Sequence, residues 1–156
     1  MSHNLEPIKD IILSILSQNP ELNVLIQHLQ LTAITITPPQ LPTPKPSQID
    51  VLDSYIKWHI PTKKFKRAKN HLLPMIKPLG GFNSVPSLGG WVNDKDKWEL
   101  ENIRLVTSFA PFPVIRQHLL NILLGSYQMG KAIQESAIGL EIGIPDRVWM
   151  LIIPTR

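Results

Sequence analysis

Residues Tyr55 to Leu79, with the sequence YIKWHIPTKKFKRAKNHLLPMIKPL, carry the clearest structural pattern of the chain. Its first six residues alternate between two sides, one formed by Ile56, Trp58 and Ile60 and the other by Tyr55, Lys57 and His59. Because successive side chains of a β-strand point to opposite faces, this alternation predicts a strand with one buried face. Pro61 and Thr62 end the strand, and Thr62 is suited to cap a following helix.

The second half of this stretch has helical periodicity. Apolar residues recur on one helix face at Phe65, Ala68, Leu72, Ile76 and Leu79. Polar and basic residues fill the opposite face. Pro74 lies inside this pattern and removes one backbone hydrogen bond, so we expect a kink or a split near Asn70. The pair Gly80-Gly81 is typical of a helix end.

Further elements extend outward from this strand and helix. Phe82 to Val92 and Glu101 to Phe109 are predicted to form a β-hairpin around a polar turn. A helix is predicted from about Pro113, followed by Ala132 to Ile142 and by the apolar segment Val148 to Ile153. The order strand, helix, strand, strand, helix, strand predicts an α+β fold. It resembles the ferredoxin-like βαββαβ arrangement, an antiparallel sheet with both helices on one face.

The N-terminal part of the chain is organised differently. Residues 1–37 are predicted to form a helical hairpin, because two short apolar stripes are separated by Asn19-Pro20-Glu21, a helix restart signal. Residues 38–47 form a proline-rich linker, which favours polyproline II structure. Residues 48–156 form the α+β domain. Two short helices bury little area against each other, so the first stripe is expected to contact a partner or a second copy. That stripe comprises Ile8, Ile11, Ile12, Ile15 and Leu16.

Basic side chains are concentrated in the middle of the chain. From Ser54 to Asn93 there is no Asp or Glu, whereas the stretch carries six Lys and one Arg. A localised basic field attracts anions, and nucleic acid is the commonest large anion in a cytoplasm. The residues expected to contact phosphates are Lys57, Lys63, Lys64, Lys66, Arg67 and Lys69. A solvated helix face explains the same residues, and both interpretations remain open.

Aromatic and histidine residues give weaker indications. Trp91 and Trp98 flank the predicted hairpin turn; a cross-strand pair or a core position is the favoured interpretation, and stacking on unpaired bases is the alternative. His118 lies on an apolar helix face and is expected to be a packed core residue. His59 and His71 could meet in space, but a third metal ligand is lacking. We therefore predict no metal site, no cofactor and no catalytic residue.

Composition restricts the functional classes further. The chain has no cysteine, which excludes disulfides, thiolate metal sites and cysteine nucleophiles. No signal peptide and no membrane-spanning run is recognisable, so a cytoplasmic location is expected. The sequence favours a non-catalytic binding module whose basic helix contacts a polyanion, most commonly nucleic acid. The alternatives are a protein-interaction or oligomeric subunit docking through the N-terminal helices, and a small enzyme that uses His59, Lys63 and nearby polar groups in a site without a recognisable motif.

Overall fold

A computed structural model describes residues 51–92 and 95–156 of the chain. The predicted N-terminal hairpin (1–37) with its apolar stripe from Ile8 to Leu16, the predicted linker (38–47) and residues 48–50 of the predicted domain lie outside the described residues. The fold below is therefore that of the predicted α+β domain.

The described chain forms an antiparallel sheet with two α-helices. The elements are β1 (Ser54–Pro61), α1 (Phe65–Ile76), β2 (Asn83–Val92), β3 (Trp98–Ala110), α2 (Phe112–Ile133), β4 (Ala137–Ile144) and β5 (Arg147–Pro154). Among these residues the five strands pair in the order β2-β3-β1-β4-β5, and every pairing is antiparallel. This confirms the predicted α+β class and its antiparallel sheet. No helix in the described ranges is long and apolar enough to span a bilayer.

The central strand β1 has the two faces that its alternation predicts. Ile56, Trp58 and Ile60 are fully buried, whereas the residues between them are only partly covered. The Trp58 indole Nε1 donates a hydrogen bond to Ser126 Oγ of α2 at 2.9 Å, and this hydroxyl donates to the Ile122 carbonyl at 2.7 Å. The buried face of β1 is thus the face on which the helices pack, and the polar indole nitrogen on it has a partner.

Helix α1 does not split near Asn70, so of the two predicted outcomes, a kink or a split, the split is wrong. The helix continues through Pro74 to Ile76 and then tightens into a 3₁₀ turn, Lys77–Leu79. Pro74 lacks an N–H and leaves the Asn70 carbonyl without its helical donor, but it lies on the exposed face near the helix end, where this loss is small. Gly80 ends the turn at φ 95°, as the glycine pair predicts.

Helix α2 runs through two glycines that made its end ambiguous in the sequence. A Cβ on Gly125 would lie 2.5 Å from the Met75 sulfur of α1, and a Cβ on Gly130 would lie 2.8 Å from Ile138 Cγ1 of β4. Both glycines therefore permit close packing rather than ending the helix. Gln134, in the left-handed conformation at φ 59°, ends it.

The opposite face of the sheet, which we call the open face, is covered by neither helix. The register places on it alternate residues of each strand, including Tyr55, Lys57 and His59 of β1 and Gly139, Glu141 and Gly143 of β4. Trp91 and Glu101 of the β2–β3 hairpin and Met150 and Ile152 of β5 share this face. A sheet face without covering helices, carrying both charged and apolar groups, is where a ligand has access.

Candidate active site

Glu141 is the centre of a polar cluster on the open face, and two glycines make room for it. In the β1–β4 register Lys57 lies opposite Glu141, while Tyr55 and His59 lie opposite Gly143 and Gly139. A Cβ on Gly143 would overlap the Tyr55 ring, and one on Gly139 would lie 3.2 Å from His59 Cβ. The sequence Gly-x-Glu-x-Gly on β4 therefore lets both rings lie over the strand and approach the carboxylate.

Three side chains of β1 surround the Glu141 carboxylate. Tyr55 OH and Lys57 Nζ each donate a hydrogen bond to Oε1 at 2.7 Å. His59 Nε2 lies 3.6 Å from Oε2, which is too long for a hydrogen bond. This nitrogen is buried and has no hydrogen-bond partner among the described residues. The cluster therefore holds one buried ring nitrogen that has no hydrogen-bond partner among the described residues.

The protonation states follow from these contacts. Burial lowers the pKa of His59 and outweighs the opposite effect of the nearby Glu141 carboxylate, so the imidazole is neutral at pH 7. Burial alone would raise the pKa of Glu141, but the hydrogen bonds from Lys57 and Tyr55 and the charge of Lys57 lower it overall. The hydrogen bond to Glu141 raises the pKa of Tyr55 to about 12, so the phenol stays protonated. The cluster combines a fixed carboxylate with a neutral imidazole.

A pocket of about 500 Å³ opens beside His59 on the same face. Its apolar wall includes the Trp91 ring, Ile103, Met150 and Ile152. Its charged groups are the carboxylates Glu101 and Glu135. The Glu101 carboxylate has no ion pair or hydrogen bond to another described residue. An apolar pocket with an unpaired carboxylate and a neutral base favours a cationic ligand with an aromatic part.

Glu135 reaches the pocket from the turn between α2 and β4. Its carboxylate Oε1 lies 2.5 Å from Lys64 Nζ, and the Lys64 ammonium also donates to the Gln134 carbonyl at 2.8 Å. Arg67 donates to the Ala132 carbonyl at 3.3 Å. Cations are favourable at a helix C-terminus, where the carbonyl groups lack helical donors. Lys64 and Arg67 thus bind the end of α2.

The six basic residues predicted to contact phosphates do not form one surface. Lys57 pairs with Glu141 on the open face, and Lys64 and Arg67 are bound to the end of α2. The remaining three, Lys63, Lys66 and Lys69, are exposed. Their spread follows from strand and helix geometry, which directs side chains only two to four residues apart to different surroundings.

The two tryptophans are neither a cross-strand pair nor core residues. Trp91 lies opposite Glu99 and Trp98 lies opposite Val92, so the two rings point to opposite faces of the hairpin. Their exposed fractions are 45% and 74%. The structural interpretation was wrong because this end of the hairpin extends beyond the helices, so neither face is covered there. Of the two tryptophans, Trp91 lines the pocket and Trp98 does not.

The histidines are also distributed differently from expectation. His118 is only partly buried and lines a cleft between α1 and α2 together with His71, so it is not a core residue. His59 lies on the other side of the sheet and does not meet His71. Among the described residues no three His, Asp or Glu side chains are grouped as metal ligands would be. No local pattern groups His59, Glu101, Glu135 and Glu141, because these residues belong to different segments of the chain.

Comparison with known proteins identifies a fold neighbour. No protein-family model matches the chain, and no curated protein matches it. A phage SAM lyase solved in complex with S-methyl-5'-thioadenosine aligns over 70% of this chain and 96% of its own, with 8% identity and a TM-score of 0.51. The chain shares the fold of this lyase. The phage SAM lyase in its apo state aligns over 68% and 96%, with 13% identity and a TM-score of 0.46.

This neighbour corrects the function expected from the sequence. A non-catalytic module that binds nucleic acid through a basic helix is contradicted, because the fold is shared with an enzyme. The physical reason for the error is that a count of charges in the sequence does not show where the charges are directed. Half of the predicted contacts are bound within the protein, and the pocket on the open face carries acidic rather than basic groups.

Proposed function

We propose that the chain is a lyase that acts on S-adenosylmethionine in the pocket beside His59 and releases S-methyl-5'-thioadenosine. The observation that carries this proposal is the composition of the pocket. An unpaired carboxylate, an exposed tryptophan ring and a neutral imidazole line one apolar cavity. The shared fold with an enzyme of this class supports it.

The charge of the pocket suits a sulfonium ligand. S-adenosylmethionine carries a permanent positive charge on sulfur, and a carboxylate without a partner in an apolar pocket attracts such a cation strongly. Glu101 occupies this position. The Trp91 ring, nearly half exposed beside it, offers a face for stacking an adenine base and for a cation–π contact. The apolar wall of Ile103, Met150 and Ile152 excludes water from the reacting sulfur.

The chemistry of a lyase is balanced within its substrate. Cleavage of the bond between the sulfonium sulfur and the γ-carbon of the amino-acid chain leaves both bonding electrons on sulfur, which becomes a neutral thioether. The γ-carbon must then gain an electron pair from its own chain. Either the α-carboxylate oxygen bonds to it and closes a lactone, or a β-hydrogen is lost to a base and an alkene forms. The lactone route neutralises the sulfonium and the α-carboxylate together, a step that an apolar pocket favours, whereas in the elimination the positive charge passes from sulfur to the protonated base.

His59 distinguishes the two routes. Its imidazole is neutral and its Nε2 has no partner among the described residues, so it can accept a β-hydrogen. If His59 is that base, His59→Asn should lower kcat by about 100-fold or more, in the range expected for loss of a general base. If His59→Asn lowers kcat by less than about threefold and a lactone is the second product, the reaction follows the lactone route, which needs no base.

The test is turnover of S-adenosylmethionine by the full chain. Purified protein is incubated with the substrate, and S-methyl-5'-thioadenosine is quantified by chromatography with mass detection. Glu101→Gln and Trp91→Ala should each lower kcat/KM by about tenfold or more, the effect of losing a charged contact or a stacking contact of about 1.4 kcal/mol.

Matched controls keep this test specific. Asp146→Asn removes an exposed acid far from the pocket, and Trp98→Ala removes the tryptophan on the opposite face of the hairpin. Both should retain the wild-type rate. Absence of product with wild-type protein, in the presence of a positive-control lyase, rejects the proposed function.

The finer architecture is also a proposal. We assign the described domain to the ferredoxin-like class with an added edge strand, supported by the sheet order β2-β3-β1-β4 that precedes β5. Association with nucleic acid, with a protein partner or with a second copy stays a prediction from the sequence, as does the role of the Ile8 to Leu16 stripe.

A further inference from the structure

The ion pair between Lys64 and Glu135 has features beyond those of a surface salt bridge. Glu135 lines the pocket, yet it is bonded to a lysine from the turn before α1. Both side chains are only partly exposed, with 32% and 21% of their surface accessible. Ion pairs near the surface contribute little to stability, so stability alone does not explain why this pair lies beside the pocket.

The protein backbone holds Glu135 firmly in place. Its amide donates a hydrogen bond to the Gly130 carbonyl at 2.9 Å, and its carbonyl accepts one from the Thr155 hydroxyl. The neighbouring Gln134 is fixed in a left-handed conformation that ends α2. Because these bonds already restrict Glu135 in the free protein, less conformational entropy is lost when a ligand binds.

Each partner in this pair has unused bonding capacity. A lysine ammonium has three donor hydrogens, and Lys64 uses two of them, one toward Glu135 Oε1 and one toward the Gln134 carbonyl. One ammonium hydrogen and the Glu135 Oε2 atom have no partner among the described residues. A positive donor, Lys64, is thus held beside a negative acceptor, Glu135, that lines the pocket.

We propose that this pair, which we call the zwitterion clamp (Lys64 and Glu135), recognises the α-amino-acid end of the ligand. This inference rests on the proposed function for the identity of the nucleoside part. The α-ammonium group binds Glu135, and the α-carboxylate binds Lys64. S-adenosylmethionine carries two cations and one anion, and the pocket with its clamp offers two carboxylates, Glu101 and Glu135, and one ammonium. The charges match group by group.

The assignment gives the basic stretch a specific role. Of the lysines in that stretch, Lys64 alone is bonded to a residue that lines this pocket. Its neighbours Lys63 and Lys66 are exposed and lack that contact, so they serve as matched controls.

The experiment compares two neutral thioethers that share one nucleoside. S-adenosylhomocysteine carries the amino-acid chain, whereas S-methyl-5'-thioadenosine has a methyl group in its place. Calorimetric titration of the full wild-type chain should give S-adenosylhomocysteine a Kd about tenfold or more lower, as expected for a charge-assisted contact pair. Lys64→Gln and Glu135→Gln should each remove most of this preference and leave the Kd for S-methyl-5'-thioadenosine within about twofold.

A structural role for the pair would not give this pattern. If Lys64 only supported the pocket wall, Lys64→Gln would weaken both ligands equally, and that result overturns the inference. Lys64→Arg keeps the charge and should retain the preference, while Lys66→Gln should leave both Kd values unchanged. The wild-type comparison does not depend on any variant folding, and equal Kd values for the two thioethers would also overturn the clamp.

Turnover separates this inference from the lyase proposal. A wild-type chain that cleaves no S-adenosylmethionine but prefers S-adenosylhomocysteine retains the clamp and loses the lyase assignment. A chain that cleaves S-adenosylmethionine without that preference retains the lyase assignment and loses the clamp.

Discussion

Replacement of Glu141 by glutamine tests the centre of the open-face cluster. The substitution keeps the size of the side chain and removes its charge, so Tyr55 loses an anionic acceptor and the Lys57 ammonium loses its counter-ion. Hydrogen bonds to charged groups contribute about 1.5–3 kcal/mol each. Because 24% of the Lys57 side chain and 20% of the Glu141 side chain are exposed, the lower part of this range applies. We expect a loss of about 1–2 kcal/mol, which lowers Tm by roughly 3–8 °C.

The sharper readout is the ionisation of Tyr55. Its pKa is about 12 because Glu141 accepts its hydrogen bond. In Glu141→Gln the pKa should return toward the ordinary value near 10. At pH 11 a phenol with a pKa of 12 is about 10% ionised and one with a pKa of 10 is about 90% ionised, by the ordinary titration relation. The chain has two tyrosines, so phenolate absorbance with a Tyr127→Phe background isolates Tyr55.

The dependence of stability on pH has the same origin. Because the pKa of Tyr55 is raised, its contribution to the free energy of unfolding is complete below pH 10 and is lost as the pH rises through about 12. The lowered pKa of Glu141 means that its contribution is present above its ordinary value and is lost as the pH falls through the folded-state value. Both dependences should be absent in Glu141→Gln and present in Asp146→Asn. A Tyr55 that titrates near 10 in the wild-type protein, or near 12 in both, would refute this reasoning.

Two further predictions concern the strands and the domain boundary. Gly143→Ala should lower stability by about 1–3 kcal/mol and lower the pKa of Tyr55, because the new Cβ would lie 2.5 Å from Tyr55 Cζ. Gly81→Ala, whose Cβ would meet no atom within 4 Å, should have neither effect. Equal melting temperatures for the two variants would contradict the packing argument. A fragment that begins at Ser47 should keep cooperative thermal unfolding, because the buried core described here lies within residues 56–153; a broad, non-cooperative melt would show that residues 1–46 contribute to that core.

The sequence was sufficient for features that depend on local periodicity. The alternation in β1 and the apolar stripe of α1 place Ile56, Trp58 and Leu72 in the core, where the structure has them. Gly80 was recognisable as a helix end because few other residues adopt a positive φ. These signals are read within a window of a few residues, so no long-range information is needed.

The site could not be predicted in the same way because its members are far apart in the chain. Tyr55 and Glu141 are separated by 86 positions, and only the β1–β4 register brings them together. One signal was nevertheless present. In Gly139-Leu140-Glu141-Ile142-Gly143 the two glycines and the acid share a face, which marks a place where a neighbouring strand's large side chains lie over the backbone.

The exposure of the tryptophans depended on another quantity that the sequence does not contain, namely how far the β2–β3 hairpin extends beyond α1 and α2. Helix length and strand length are each recognisable, but their relative placement is set by packing. Trp91 therefore lines the pocket and Trp98 is exposed on the other face of the hairpin, although the two residues lie on either side of the same turn.

Alternate residues of strand β1 belong to the core and to the polar cluster, so a change in the register of this strand would disturb both. A shift of β1 by a single residue would turn Tyr55, Lys57 and His59 toward the helices and Ile56, Trp58 and Ile60 toward solvent. Three ionisable groups would then be buried and three apolar side chains exposed, so no slipped form retains a folded core. Insertions or deletions of one residue within β1 should therefore be rare among descendants of this chain, while its loops remain free to vary in length.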